Sequence, residues 1–236
     1  MLIAFSVCVS ALGADASAEF DAANKLFEQG KFKDAASAYE KMLASGAQSP
    51  ALYFNLGNAR FKAGEVGRAV AAYRRALQIA PRDPDVRANL EFIRNQVQSP
   101  TLPPGPWQSW FEKLTLNEWT VLTFAAFWVF LILLILMQLR PALRKPLRIF
   151  AVLSAVTTVL LACCLGAVIS MRSTKIAIVT VDNVSVRNSP FEESQSAFTA
   201  HDGAELRVLD SKNGWLQVSA GNRRIGWLKR EQTVLF

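Results

Sequence analysis

The stretch Ala51-Leu-Tyr-Phe-Asn-Leu-Gly-Asn58, continued by Ala63-Gly64, Ala69, Tyr73, Ala76 and Pro81, decides how the first half of the chain folds. Much of it has already occurred 34 residues earlier. Phe20, Asn24, Phe27, Gly30, Ala35, Ala38, Tyr39 and Leu43 return as Phe54, Asn58, Phe61, Gly64, Ala69, Ala72, Tyr73 and Leu77. Eight coincidences at one offset between residues 16 and 83 mark an internal repeat, and a 34-residue period fits a helix–turn–helix unit that stacks on its copy. Small residues allow two helices to approach, a glycine between them permits the tight turn, and the tyrosines fill the groove between repeats. Asp83-Pro84-Asp85 then supplies an N-cap, a first-turn proline and an early acid, which predicts a helix over 84–97 that caps the stack.

The period and the ordered residues resemble tetratricopeptide (TPR) repeats, the second copy more closely than the first, which has Ala23 where the second has Gly57. The resemblance implies an α-helical arch of five helices over 19–98 that binds peptides or partner proteins on its concave face. The residues it places there are Phe20, Asn24, Phe27, Phe54, Asn58, Phe61 and Lys62. Asn24 and Asn55 fall on the asparagine positions of the carboxylate clamp found in some TPR proteins. The clamp's basic positions hold Phe20, Asp85 and Asn89, so that clamp is absent, and an aromatic, amide-lined groove suits an extended or helical apolar segment.

Outward from the repeat, the composition stops being that of one soluble domain. Of 236 residues 51% are hydrophobic and 19% charged, with net charge +7. Two runs without a charged side chain, 119–139 and 149–171, are each long enough to span a bilayer core of about 30 Å. The loop 140–148 between them holds Arg140, Arg144, Lys145 and Arg148 and no acid. Lys and Arg in short loops stay cytoplasmic, so the flanking segments are expected outside the cytoplasm. These four charges are more than half of the net +7, and the flanking segments come to only +1 and +2, which removes the case for nucleic acid.

The apolar start with Ala14-Asp15-Ala16 and Ala16-Ser17-Ala18 reads as a signal peptide over 1–18, although no base precedes its apolar run. The three cysteines lie in hydrophobic segments, Cys8 in the leader and Cys163 and Cys164 in the second span, so no disulfide, metal or cofactor site is expected.

Between repeat and membrane, residues 99–106 hold four prolines and form a semi-rigid spacer. Trp107, Trp110, Phe111 and Trp119 follow, over a segment to 118 expected to lie as an amphipathic helix at headgroup level. From 175 to 236 short alternating apolar runs are divided by Asn188-Ser-Pro190, Asp202-Gly203, Asn213-Gly214 and Gly221-Asn222, which predicts a small antiparallel all-β barrel. Val186-Arg187 with Pro190, Gly203, Gly214-Trp215 and Gly226-Trp227 resemble bacterial SH3-like (SH3b) domains, with Ser189 where the family often has glycine. The resemblance implies a ligand surface including Arg187, Trp215 and Trp227, and cell-wall peptide as its ligand. Both tryptophans are expected in core and rim packing rather than ligand contact, since so small a barrel needs aromatics to fill it.

No catalytic motif is present. His201 is the sole histidine, beside Asp202 in an expected turn, where it reads as solvated. The order of leader, repeats, aromatic linker ending in Leu116-Asn117-Glu118-Trp119, two-helix transmembrane hairpin and SH3-like barrel resembles the BatE type of protein from bacterial aerotolerance (Bat) operons. That resemblance implies a non-enzymatic scaffold of the bacterial inner membrane, two-pass, with both terminal domains periplasmic. Its implied partners are membrane-anchored von Willebrand A domain proteins and a MoxR-type ATPase system. The alternative is a wall-binding tether or sensor acting through the SH3-like domain on peptidoglycan.

Overall fold

The computed structural model describes residues 17–97, 102, 105–221 and 224–236. The expected signal peptide lies, apart from residues 17 and 18, outside the described residues. Residues 17 and 18 already belong to a helix. Of the described residues, those up to 102 and those from 175 onward belong to one compact unit, and 105–174 belong to a second.

Five helices open the first unit: α1 (17–28), α2 (Phe32–Ala44), α3 (Pro50–Lys62), α4 (Val66–Ile79) and α5 (Pro84–Gln96). Their ends follow from the sequence. The Ser49 hydroxyl accepts the Leu52 N–H ahead of Pro50, and the Asp83 carboxylate accepts the N–H groups of Asp85 and Val86 ahead of Pro84. Gly30 and Gly64 end α1 and α3 with φ of +75° and +83°. Around them the same pair of bonds recurs: Gly30 N–H to Phe27 O and Lys31 N–H to Leu26 O, then Gly64 N–H to Phe61 O and Glu65 N–H to Arg60 O. Ala23, Ala35, Ala36, Ala59, Ala69 and Ala76 are fully buried, and this small volume lets the pairs close on Tyr39 and Tyr73.

The remainder of this unit is an antiparallel sheet of β1 (Ile176–Val179), β2 (Val184–Arg187), β3 (Ser196–Ala200), β4 (Glu205–Lys212), β5 (Trp215–Ala220), β6 (Arg224–Lys229) and β7 (Thr233–Leu235). The strand order is β3-β2-β6-β5-β4-β1-β7. Where a barrel is expected, the strands form an open ladder: β3 and β7 are its edges, and no pairing joins them among the described residues. Asn213 and Gly214, both at positive φ, join β4 to β5 in the tight reversal that an Asn-Gly pair favours. One face packs Val186, Leu206, Leu216, Val218 and Leu228. Trp215 of β5 and Trp227 of β6 are half-buried and outside that core, because the buried positions of both strands are the even-numbered ones.

The second unit contains α6 (Pro106–Phe111), α7 (Leu116–Leu139) and α8 (Arg144–Arg172), the last preceded by a 3-10 turn over Pro141–Leu143. The expected interfacial helix is interrupted after Phe111. Thr115 starts α7 instead, its hydroxyl accepting the Glu118 N–H while the Glu118 carboxylate accepts the Thr115 N–H. Trp119 is buried against Trp110 and Phe111 and donates its indole N–H to Phe111 O at 3.2 Å. The basic loop is also shorter than 140–148, since α8 begins at Arg144. Pro146 does not prevent this, because a first-turn residue needs no intrahelical N–H bond. Arg144 reaches back to Met137 O, and Ser154 Oγ donates to Ala126 O, so the two helices run antiparallel. α7 and the segment Pro141–Arg172 are each long and apolar enough to cross a membrane.

Candidate functional site

Of the residues expected to line a groove, Phe20, Asn24 and Phe27 lie on α1 and Phe54, Asn58, Phe61 and Lys62 on α3, and Asn24 and Asn58 each sit in one of two copies of a hydrogen-bonded cluster. Asn24 Oδ1 accepts the Tyr39 hydroxyl at 2.7 Å and Asn55 Nδ2 at 3.0 Å. In the second copy Asn58 Oδ1 accepts the Tyr73 hydroxyl at 2.6 Å and Asn89 Nδ2 at 3.0 Å. The rings repeat as well, with centroids 5.9 Å apart for Phe20–Tyr39 and 6.0 Å for Phe54–Tyr73. Phe27 packs edge-on to Phe32, and Phe61 edge-on to the exposed ring of Phe92. Six of the seven named residues are half-buried and Lys62 is exposed.

The two copies thus place aromatic ring contacts beside an asparagine–tyrosine ladder that links the helices. Burial pushes the Tyr73 hydroxyl up to about 12, opposed by the bond from Asn89. It raises that of Tyr39 too, with the Asn55 bond opposing and the Glu28 charge adding. Asn55 and Asn89, considered in the sequence only as clamp positions, are the residues that tie α1 to α3 and α3 to α5. The buried Arg60 adds a further tie, pairing with Glu40 of α2 and with Glu65 at the start of α4.

A second constellation joins the last repeat to the sheet. The N-cap residue of α4, Glu65, makes no capping bond through its side chain. Asp202, from the turn before β4, does so instead: its carboxylate accepts the N–H groups of Val66 at 2.8 Å and Gly67 at 2.9 Å. Only glycine permits this approach, since a Cβ on residue 67 would lie 1.9 Å from Val179 O. Ile178 of β1 enters the same apolar core as Val70, Tyr73, Leu90 and Ile93.

Beside that core the carboxylate of Glu205, fully buried, accepts Arg74 Nη2 at 2.8 Å, Arg94 Nη2 at 3.0 Å and the Leu102 N–H at 3.0 Å. Helix α4, helix α5, Leu102 in the chain beyond α5 and strand β4 thus meet on one side chain. Burial alone would raise the Glu205 carboxyl. The hydrogen bond and charge of Arg74, the charge of Arg94 and the Leu102 N–H outweigh it and hold the group below the usual glutamate range. For Asp202 burial prevails over the N–H groups of Gly67, Val66 and Gly203, and the nearby Asp182 adds to the upward shift.

Residues 20–84 match the tetratricopeptide repeat family. No curated protein matches the chain. The TPR repeats imply protein partners in general, and the match ends at the start of α5, the helix that completes the ladder through Asn89.

Away from the repeats, the structure brings Arg187, Trp215 and Trp227 onto the outward face of the sheet. Arg187 pairs in register with Trp227, Trp227 with Gln217, and Trp215 with Lys229. Both tryptophans and Arg187 are half-buried. Arg187 Nη1 donates to Ser194 O, and the Lys229 ammonium sits 6.0 Å from the centre of the Trp215 ring and 2.6 Å from Glu192. His201 is half-exposed, 3.2 Å from Asp182, at the end of the turn that caps α4.

Proposed function

We propose that the protein is a non-enzymatic membrane scaffold or adaptor whose repeat groove binds a partner protein in a Bat-type stress or aerotolerance assembly. Its partners are membrane-anchored proteins, by resemblance von Willebrand A domain proteins and a MoxR-type ATPase system. The observation that carries this reading is the match to TPR repeats over residues 20–84. Connectivity supports a two-pass topology. The compact unit is made from chain before and after an antiparallel hairpin, so both of its parts leave the same open end of that hairpin. With the bases of Arg140 to Arg148 at the closed end, that unit belongs on the periplasmic side of the inner membrane.

A photo-crosslinker at the exposed Lys62, with a second at Phe61, tests the groove in the intact membrane. Adducts with a membrane-anchored protein are expected, and recovery of the chain without adducts would refute the reading.

The outward row of Arg187, Trp227 and Trp215 favours a second reading, an SH3-like wall-binding surface. It is tested with the full chain, because a sheet cut at residue 175 would expose Ile178 and Glu205. Retention on purified sacculi that falls in Trp227→Ala supports wall binding, and no retention excludes it.

A further inference from the structure

We propose that the closed end of the helical hairpin binds the phosphate of anionic phospholipid headgroups through Arg140, Lys145 and Arg148. The inference rests on the membrane reading above and adds to it a specific lipid chemistry. The four bases of this end have no acid to answer them on the hairpin, since no Asp or Glu occurs between Glu118 and Asp182. Arg144 is occupied in closing the turn, its Nε donating to Met137 O at 3.1 Å and Nη2 to Gln138 Oε1 at 3.2 Å. Arg140, Lys145 and Arg148 are exposed and make no side-chain hydrogen bond or ion pair among the described residues.

Their position is unfavourable for the isolated chain. Lys145 and Arg148 stand near the start of α8, where the helix dipole already presents positive charge, and Leu143 at the N-cap supplies no acceptor. An external anion relieves both conditions. The apolar surroundings select a lipid as its source. Leu139, Leu143, Ile149 and Phe150 are exposed on either side of the bases, so the cations stand where a hydrocarbon belt ends and a headgroup layer begins.

Native mass spectrometry of the full chain, released from nanodiscs of phosphatidylcholine mixed with phosphatidylglycerol, tests this. A juxtamembrane base contributes about fivefold to anionic lipid binding. The chain is therefore expected to retain phosphatidylglycerol preferentially. Arg140→Gln/Lys145→Gln/Arg148→Gln should lose that preference by up to about a hundredfold, on the same per-base factor, while Arg144→Gln keeps most of it. Added inorganic phosphate should not displace the lipid. Equal retention of the two lipids, a preference unchanged in the triple variant, or full displacement by phosphate would overturn the proposal. Failure of the chain to enter nanodiscs would overturn the membrane reading and this proposal with it, a result distinct from equal lipid retention.

Discussion

Replacing Glu205 with glutamine keeps its shape and one acceptor oxygen but removes the charge that holds Arg74 and Arg94 together. The side chain has no solvent exposure, and the two arginine side chains are 14% and 16% exposed. Removing one partner of a buried ion pair costs about 3–5 kcal/mol. Adding charge-assisted hydrogen bonds one by one would give more, at about 1.5–3 kcal/mol each, but the arginines retain enough exposure to recruit water. The expected loss is therefore about 3 kcal/mol, toward the low end of that range for a broken buried pair. For a unit of this size it lowers Tm by about 6–12 °C. Circular dichroism of the full chain in detergent measures the shift. A double-mutant cycle of Glu205→Leu with Arg94→Met should return a coupling of at least about 1 kcal/mol. A loss under about 0.5 kcal/mol, or a coupling of zero, would refute the role given to this carboxylate. The pH dependence has a definite sign. Because the native carboxyl titrates below its unfolded value, its contribution is complete above about pH 4.3 and disappears as pH falls through the lower native value. Glu205→Gln should remove that acid sensitivity.

Gly67→Ala places a methyl group against the fixed Val179 carbonyl and should cost about 3 kcal/mol, the upper end of overpacking. Gly166→Ala, with nothing within 4 Å of the added carbon, is the control and should leave thermal unfolding unchanged or slightly improved. Asp202→Ala removes the cap of α4 and should cost about 1 kcal/mol in the same assay. Tyr73 has its native pKa raised to about 12, so its contribution is intact below about pH 10 and is lost as pH rises toward 12. Ultraviolet titration should find a tyrosine ionising near pH 12 that is absent in Tyr73→Phe, and that variant should be less sensitive to alkaline unfolding.

The 34-residue period, the Asp83-Pro84 cap and the apolar spans were legible because each is a local pattern whose physical cause lies within one helix or one repeat. The positions Asn55 and Asn89 were visible, but their role depends on α1, α3 and α5 lying side by side. The joint between repeats and sheet left almost no local trace, because its bonds connect residues more than 100 positions apart, such as Arg74 with Glu205. One signal was available: Ile176-Ala-Ile-Val179 is apolar on both faces, which a strand open to water on one side would not be. Read that way, β1 predicts a second covering layer, which α4 provides. The barrel expectation failed for a related reason. Alternation fixes which residues face inward, but not whether the outer strands meet or, as here, remain the edges of an open ladder.

Repeats and sheet are expected to behave as one body held at Asp202 and Glu205. Spin labels on exposed Lys33 of α2 and Ser211 of β4, in a chain with its natural cysteines replaced, measure this directly by electron–electron double resonance. A single narrow distance distribution that broadens in Glu205→Gln is the predicted result. A broad distribution in the otherwise unaltered chain would show that Asp202 and Glu205 do not hold repeats and sheet together.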